Sequence, residues 1–172
     1  MTATTLHQPK RSGRELLWRE AVRPEDAEAV RALVSATEMF TSEEVDIAVE
    51  LVTERLAKGP ASGYEFVLAD TQEGLAGYAC YGPTPATVGT IDLYWIVVSP
   101  ELQSQGLGRA ILERTEIAAR RISGERLYVD TSSQQKYAPT RAFYQRAGFR
   151  QVAELPDFYR RGDGKVIFTK AI

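Results

Sequence analysis

Ser99 to Arg109 reads SPELQSQGLGR and follows directly on an apolar run, Tyr94-Trp95-Ile96-Val97-Val98. The run is rich in β-branched and aromatic residues and reads as a strand, so the proline turn and the two glycines sit between a strand and the helix that opens at Leu107. A helix N-terminus has unpaired N–H groups and the positive end of the macrodipole, and it favours an anion placed on its axis. Gly106 and Gly108 remove the Cβ atoms that would hold a phosphate off the backbone, and Gln103, Gln105 and Arg109 can add side-chain donors. The commoner nucleotide loops do not fit. A Walker loop needs Gly-Lys-Ser/Thr, whereas Gly108 is followed by Arg109-Ala110, and a dinucleotide fingerprint needs a third glycine near Ile111. On the loop alone, a glycine-capped helix without a ligand stays open beside a phosphate cradle.

Other reactive side chains are scarce. His7 is the only histidine and lies in a polar N-terminal tail, so Ser–His and Cys–His catalysis and a His-based metal site lose their main ingredient, and no metal is expected. Cys80 is the only cysteine and sits in an apolar stretch, Ala76 to Tyr81, as a small hydrophobe would. The 172 residues suffice for one domain, and 44% hydrophobic with 26% charged residues is an ordinary globular composition. A net charge of −2 without a like-charge block argues against nucleic acid as a partner. No signal-peptide core and no apolar run long enough for a bilayer is present, so no membrane partner and a cytoplasmic location are expected.

The elements that must position the loop follow from periodicity. Residues 1–14 are polar and aperiodic and are expected to be disordered, leaving 15–172 as a single domain. Glu15 to Glu20 reads as a strand, and Arg23-Pro24-Glu25-Asp26 opens a helix whose apolar positions are Ala27, Val30, Leu33 and Val34. Thr41-Ser42-Glu43-Glu44 has the capping-box form, and Val45, Ala48, Val49, Val52 and Leu56 keep one helical face until Gly59-Pro60. Tyr64 to Ala69, Leu75 to Gly82 and Thr90 to Val98 make an antiparallel meander. A helix from Leu107 to Ile122, a strand from Arg126 to Thr131, a short helix from Pro139 to Arg146 and a hairpin of Gln151 to Tyr159 with Lys165 to Lys170 complete the chain. The order β-α-α-β-β-β-α-β-α-β-β is that of a mixed α/β domain.

A second constellation follows downstream: Tyr137-Ala138-Pro139-Thr140-Arg141-Ala142-Phe143-Tyr144, ending in Gly148-Phe149. Together with the loop it resembles the GNAT superfamily of acyl-CoA-dependent N-acetyltransferases. That family's pyrophosphate loop has the form Gln/Arg-x-x-Gly-x-Gly/Ala, met here by Gln103, Gly106 and Gly108, and its later helix carries Phe/Leu-Tyr before Gly-Phe. The resemblance spans roughly Leu16 to Lys170 and implies a central, mostly antiparallel, twisted sheet flanked by helices. It further implies that Ile96, Val97 and Val98 line the pantetheine arm of acetyl-CoA. Gln103, Ser104, Gln105, Gly106, Leu107, Gly108 and Arg109 would hold the pyrophosphate, and a backbone N–H of the strand before the loop would polarise the acetyl carbonyl. Tyr144 would be the general acid beside the sulfur, a role suited to a phenol that stays protonated at neutral pH. Tyr137 stands where the family often has a cofactor-contacting asparagine, and Thr140 where a small apolar residue is usual.

The acceptor amine must lose a proton before it attacks. Asp92 lies as far before Gln103 as the glutamate base of one branch of the family lies before its own glutamine, and in a regular strand it shares a face with Tyr94 and Ile96. It is the first candidate base, beside a water relay; a strand-start carboxylate bonded to its surroundings is the alternative. Ser132 falls where another branch has a glutamate base. Glu38, Glu43, Glu44 and Asp46 could give an electronegative mouth or simply the solvated start of a helix, and Phe40, Trp95, Phe158 and Tyr159 could wall the acceptor pocket. The expected activity is transfer of an acetyl group from acetyl-CoA to an unidentified amine in a ternary complex. A non-catalytic acyl-CoA sensor is the alternative, and a homodimer is left open.

Overall fold

The computed structural model describes residues 15–172; the disorder expected for residues 1–14, and His7 with it, lies outside them. The elements are β1 Leu17–Arg19, α1 Asp26–Ala36, α2 Ser42–Lys58, β2 Glu65–Thr71, β3 Gly74–Pro83, β4 Thr90–Val98, α3 Leu107–Arg121, β5 Arg126–Ser132, α4 Ala138–Arg146, β6 Arg150–Arg160 and β7 Asp163–Ala171. The order is the one expected from periodicity, with β1 shorter at both ends. The strands form one seven-stranded sheet in the order β1-β2-β3-β4-β5-β7-β6, in which only β4 and β5 run parallel.

Two helical layers cover this sheet. On one face α1 and α2 bury Val30, Val34, Ala48 and Val52 against Phe66, Leu68, Tyr78 and Cys80. On the other, α3 and α4 bury Ile111, Ala119 and Tyr144 against Ala79, Leu93, Leu127 and Phe168. Because β3 is covered on both faces, its run from Ala76 to Gly82 is buried throughout, as the unbroken apolar stretch requires. Helix α3 presses close on it: a Cβ on Gly77 would lie 2.8 Å from Ile111 Cδ1 and 2.8 Å from the Val97 carbonyl oxygen. Helix α2 starts as its capping box dictates, with Thr41 Oγ1 accepting from Glu44 N and Glu44 accepting from Thr41 N.

The irregular part of the sheet is its centre. β4 pairs with β5 only from Thr90 to Asp92, opposite Arg126 to Tyr128, whereas β5 continues with β7 as far as Ser132. Just beyond Asp92 a bulge interrupts the β3/β4 ladder: Tyr81 pairs with Leu93 and Cys80 with Trp95, which leaves Tyr94 as the extra residue. A bulge bends its strand and increases the twist, and β4 and β5 part there. It also corrects an expectation. Asp92 does not share its face with Ile96; past the bulge it is Trp95 and Val97 that point to the α1/α2 side with Asp92, while Ile96 and Val98 pack on the α3 side.

Asp26 has a role beyond the helix-dipole one suggested by its place in the first turn. Arg19 of β1 donates to both of its carboxylate oxygens at 2.6 Å, and also to Asp70 of β2 at 2.6 Å and 3.1 Å. The guanidinium thereby ties β1, β2 and α1 together around an aspartate that is only 2% exposed. Replacing Arg19 by Met leaves that charge buried without its partner, and should cost about 3–5 kcal/mol, read as a lower urea midpoint at unchanged m-value.

Candidate functional site

Where β4 and β5 separate, a cleft of about 930 Å³ opens between the sheet, the α1–α2 connection and the start of α4. Asp92, Ile96, Val97, Val98 and Gln103 line it from β4 and the following loop, Tyr137 and Tyr144 from the α4 side, and Met39, Phe40 and Glu44 from the α1–α2 side. Parallel pairing with β5 ends at Asp92, so beyond it β4 stays bonded to β3 on one side and presents the polar groups of its other side to the cleft instead of to a strand. Val97 is buried against the α1/α2 core and meets the cleft mainly through its backbone, whereas Ile96 and Val98 are half-buried.

At one end the loop reaches α3. Leu102 and Leu107 are buried and anchor it on both sides. Between them Ser104 has φ +60° and Gly106 φ +90°, two left-handed positions that turn the chain sharply into α3. Gly106 is the N-cap of α3 and no side chain caps this terminus, in contrast to the closed capping box of α2. The glycine is required at 106 by its φ. At 108 an added Cβ would sit 3.5 Å from Phe143 and 3.6 Å from Val98, ordinary contacts, so the protein's own packing does not demand glycine there. The expected side-chain donors are engaged within the chain: Gln103 Nε2 donates to Val98 O at 3.2 Å, Gln105 Nε2 to Glu101 O at 2.7 Å, and Arg109 pairs with Glu113 at 2.9 Å. What the loop offers freely is backbone N–H, beside the 64% exposed side chain of Arg109, which it shares with Glu113.

The other candidates divide. Thr84 Oγ1 donates to Asp92 Oδ2 at 2.7 Å, so Asp92 has a neutral partner and an open side toward the cleft. Tyr137 points its hydroxyl at Met39 O, 3.1 Å away, and Lys136 Nζ donates to the same oxygen at 3.0 Å; together they tie the start of α4 to the α1–α2 connection. Glu44 is occupied by its capping box and Asp46 by Arg31 at 2.7 Å, so for these two the helix-start reading holds. Trp95 stacks at a tilt on Phe40 with centroids 4.8 Å apart, and both line the cleft with Tyr159, while Phe158 stands outside it.

A family profile described as the acetyltransferase (GNAT) domain matches residues 62–151. A solved structure of a GNAT-family protein from Desulfovibrio desulfuricans superposes with a TM-score of 0.89 at 52% sequence identity, over 91% of this chain and 99% of that one. The chain belongs to the GNAT acetyltransferase family. An aminoglycoside 6'-N-acetyltransferase complexed with coenzyme A shares the fold at 17% identity (TM-score 0.71; 90% of this chain, 96% of that one). So does yncA from Salmonella typhimurium, solved with its cofactor acetyl-CoA, at 20% identity (TM-score 0.69; 91% and 94%). No curated protein sequence matches. Among the described residues of this GNAT chain no helix is long and apolar enough to cross a membrane.

One wall of the GNAT cleft was not anticipated. Asp163, at the start of β7, accepts from Ser132 Oγ at 2.5 Å and from Gln134 Nε2 at 3.0 Å, and Lys165 Nζ pairs with Asp130 at 2.5 Å. In the sequence Asp163 sits in Arg161-Gly162-Asp163-Gly164, which reads as hairpin-turn chemistry. Only the pairing of Ser132 with Lys165 brings it to the end of β5.

Tyr144 is the more enclosed of the two catalytic candidates. Its ring packs on Phe143, Phe149 and Phe168 with centroids 5.4 Å, 5.6 Å and 5.9 Å away, and it is 4% exposed. Burial, reinforced by the negative charge of Asp130, pushes its phenol well above the ordinary range. Tyr159 is pushed up to about 12 by burial and then by Asp130. Burial also raises the Cys80 thiol, which suits a packed side chain and not a nucleophile. A phenol that ionises less readily folded than unfolded stabilises the fold fully below the unfolded value near 10 and progressively less as pH rises toward the folded one. Urea unfolding between about pH 8 and pH 11 should therefore show falling stability, and the fall should be shallower in Tyr144→Phe.

Proposed function

We propose that residues 15–172 act as one acetyltransferase domain, which moves an acetyl group from acetyl-CoA to a primary amine by direct attack in a ternary complex. The observation that carries this reading is that Tyr144 and the side of β4 released from β5 beyond Asp92 line one cleft, with Gln103 joining it to the loop that leads to the uncapped N-terminus of α3. The coenzyme A and acetyl-CoA held by two proteins of the same fold support it.

The chain's residues divide the work by chemistry. The backbone of Gln103 through Gly108 binds the pyrophosphate at the α3 dipole, and Arg109 adds a charge once it leaves Glu113. Ile96 and Val98 pack the pantetheine arm, with Val97 contributing backbone, and Tyr137 borders it at the position of the family's asparagine. When bound, acetyl-CoA supplies a thioester whose carbonyl carbon is the electrophile. A β4 N–H beyond Asp92 polarises that carbonyl. Asp92 or a water relay takes a proton from the acceptor ammonium. The amine nitrogen would bond the acetyl carbon as the carbon–sulfur bond breaks, Tyr144 would give its phenolic hydrogen to the sulfur, and the second proton shed by the nitrogen would return through water to the Tyr144 oxygen. The raised phenol is protonated at neutral pH, the form that a general acid to the leaving thiolate requires. Cys80 is fully buried and takes no part, which leaves direct transfer without an acetyl-enzyme.

Free-CoA release measured against a set of amines tests the reading. Tyr144→Phe should lower kcat by about 10²–10⁴ with CoA affinity retained. Gly106→Val forces a β-branched residue to φ +90° and should weaken CoA binding by about tenfold or more, measured by calorimetry. Tight CoA binding without amine-dependent release would instead assign a non-catalytic acyl-CoA sensor.

A further inference from the structure

We propose that Ser132, Gln134 and Asp163 form the subsite that holds the protonated amine of the acceptor; the proposal rests on the reading of the cleft as a transferase site. All three line the cleft. Their hydrogen bonds fix which atoms are left for a ligand. Asp163 accepts on both oxygens, from Ser132 Oγ at 2.5 Å and from Gln134 Nε2 at 3.0 Å. The hydroxyl hydrogen of Ser132 is thus committed to the carboxylate. Ser132 Oγ also accepts from Gln134 N at 3.0 Å, and a hydroxyl oxygen has two lone pairs, so one acceptor site stays open. The Gln134 amide, oriented by its donation to Asp163, leaves its carbonyl oxygen as a second acceptor. The patch therefore presents acceptors beside a carboxylate. An ammonium, with three donors and no acceptor, is the group that complements it. A carboxylate ligand would set acceptor against acceptor, and a hydroxyl could bring a single donor.

Nearby cations do not fill this role. Lys165 pairs with Asp130 at 2.5 Å and Lys136 Nζ donates to Met39 O at 3.0 Å. Arg160 Nε stands 3.7 Å from Asp163, outside hydrogen-bond distance, on a side chain that is 70% exposed and so screened by water. The segment is also held rigidly: Arg141 Nη1 donates to Ser132 O at 2.7 Å and to Gln134 O at 3.0 Å, and Gly164 N donates to Ser133 Oγ at 2.8 Å. A fixed set of acceptors binds without first paying for its own ordering. Ser132 cannot replace the glutamate that the family resemblance puts at its position, but Asp163 brings a carboxylate to the same place from another strand.

The test uses a matched probe pair, phenethylamine and 2-phenylethanol, titrated calorimetrically into the protein with and without saturating CoA. The wild type should prefer the amine by about ten- to a hundredfold. Asp163→Asn and Ser132→Ala should each remove most of that preference while CoA affinity stays put, with Tm lowered by the lost buried hydrogen bond. An absence of preference in the wild type overturns the proposal, as does a preference that survives in both variants. A loss matched by an equal loss of CoA affinity shows a merely structural role and also overturns it; if Asp163→Asn does not fold, Ser132→Ala decides. A clear amine preference without amine-dependent CoA release keeps the subsite and sinks the transferase reading instead.

Discussion

Three residue pairs join β4 to β5, and the candidate site depends on their being no more than three. A longer parallel ladder would close the sheet at its centre and satisfy the backbone of β4 with the backbone of β5. The bulge at Tyr94 bends β4 away at the point where the pairing stops, so the N–H and C=O groups on its β5 side beyond Asp92 face a cleft. Backbone polar groups without partners are costly in a protein interior. Here they border a space that a polar, extended ligand can enter, and the cost becomes binding potential.

That central gap is tolerated because the two halves of the sheet are held from outside it. On one side β3 carries helices on both faces and Arg19 binds β1, β2 and α1 into one unit. On the other, β5, β7 and β6 pair at length, and Thr169, Ser132 and Asp163 are hydrogen-bonded across them. Helix α3 spans the middle through Ile111 and the contact at Gly77, so its uncapped terminus at Gly106 is held in place by core packing, three residues beyond the cleft-lining Gln103.

The candidate acid and the candidate base answer to different surroundings. Tyr144 sits among aromatic rings, where burial keeps its phenol protonated. Asp92 lies at the last paired position of β4, bonded to a neutral threonine and facing the cleft. A donor for a leaving thiolate and an acceptor for an ammonium proton need this contrast, and the opening between the strands supplies both settings within one cleft.

Local chemistry was enough to read most of the fold. The apolar periods of α1 to α4, the capping box at Thr41 and the glycines that end strands and helices are written in neighbouring residues, and they give the element order without knowledge of any partner. The glycine loop and the Phe143-Tyr144 pair were legible for the same reason, since each motif is contiguous. Three features were not. The bulge at Tyr94 depends on how β4 aligns with β3, and it changed which residues share a face with Asp92. The self-bonding of Gln103 and Gln105 depends on how the loop turns back on Val98 and Glu101. Asp163 reads as a turn residue until β7 pairs with β5 and sets it beside Ser132. The sequence by itself determined which elements form and which residues can do chemistry, because propensity, capping and charge act over a few residues. Only the tertiary structure decided which of those residues meet, because register and strand divergence are settled by packing between segments far apart in the chain.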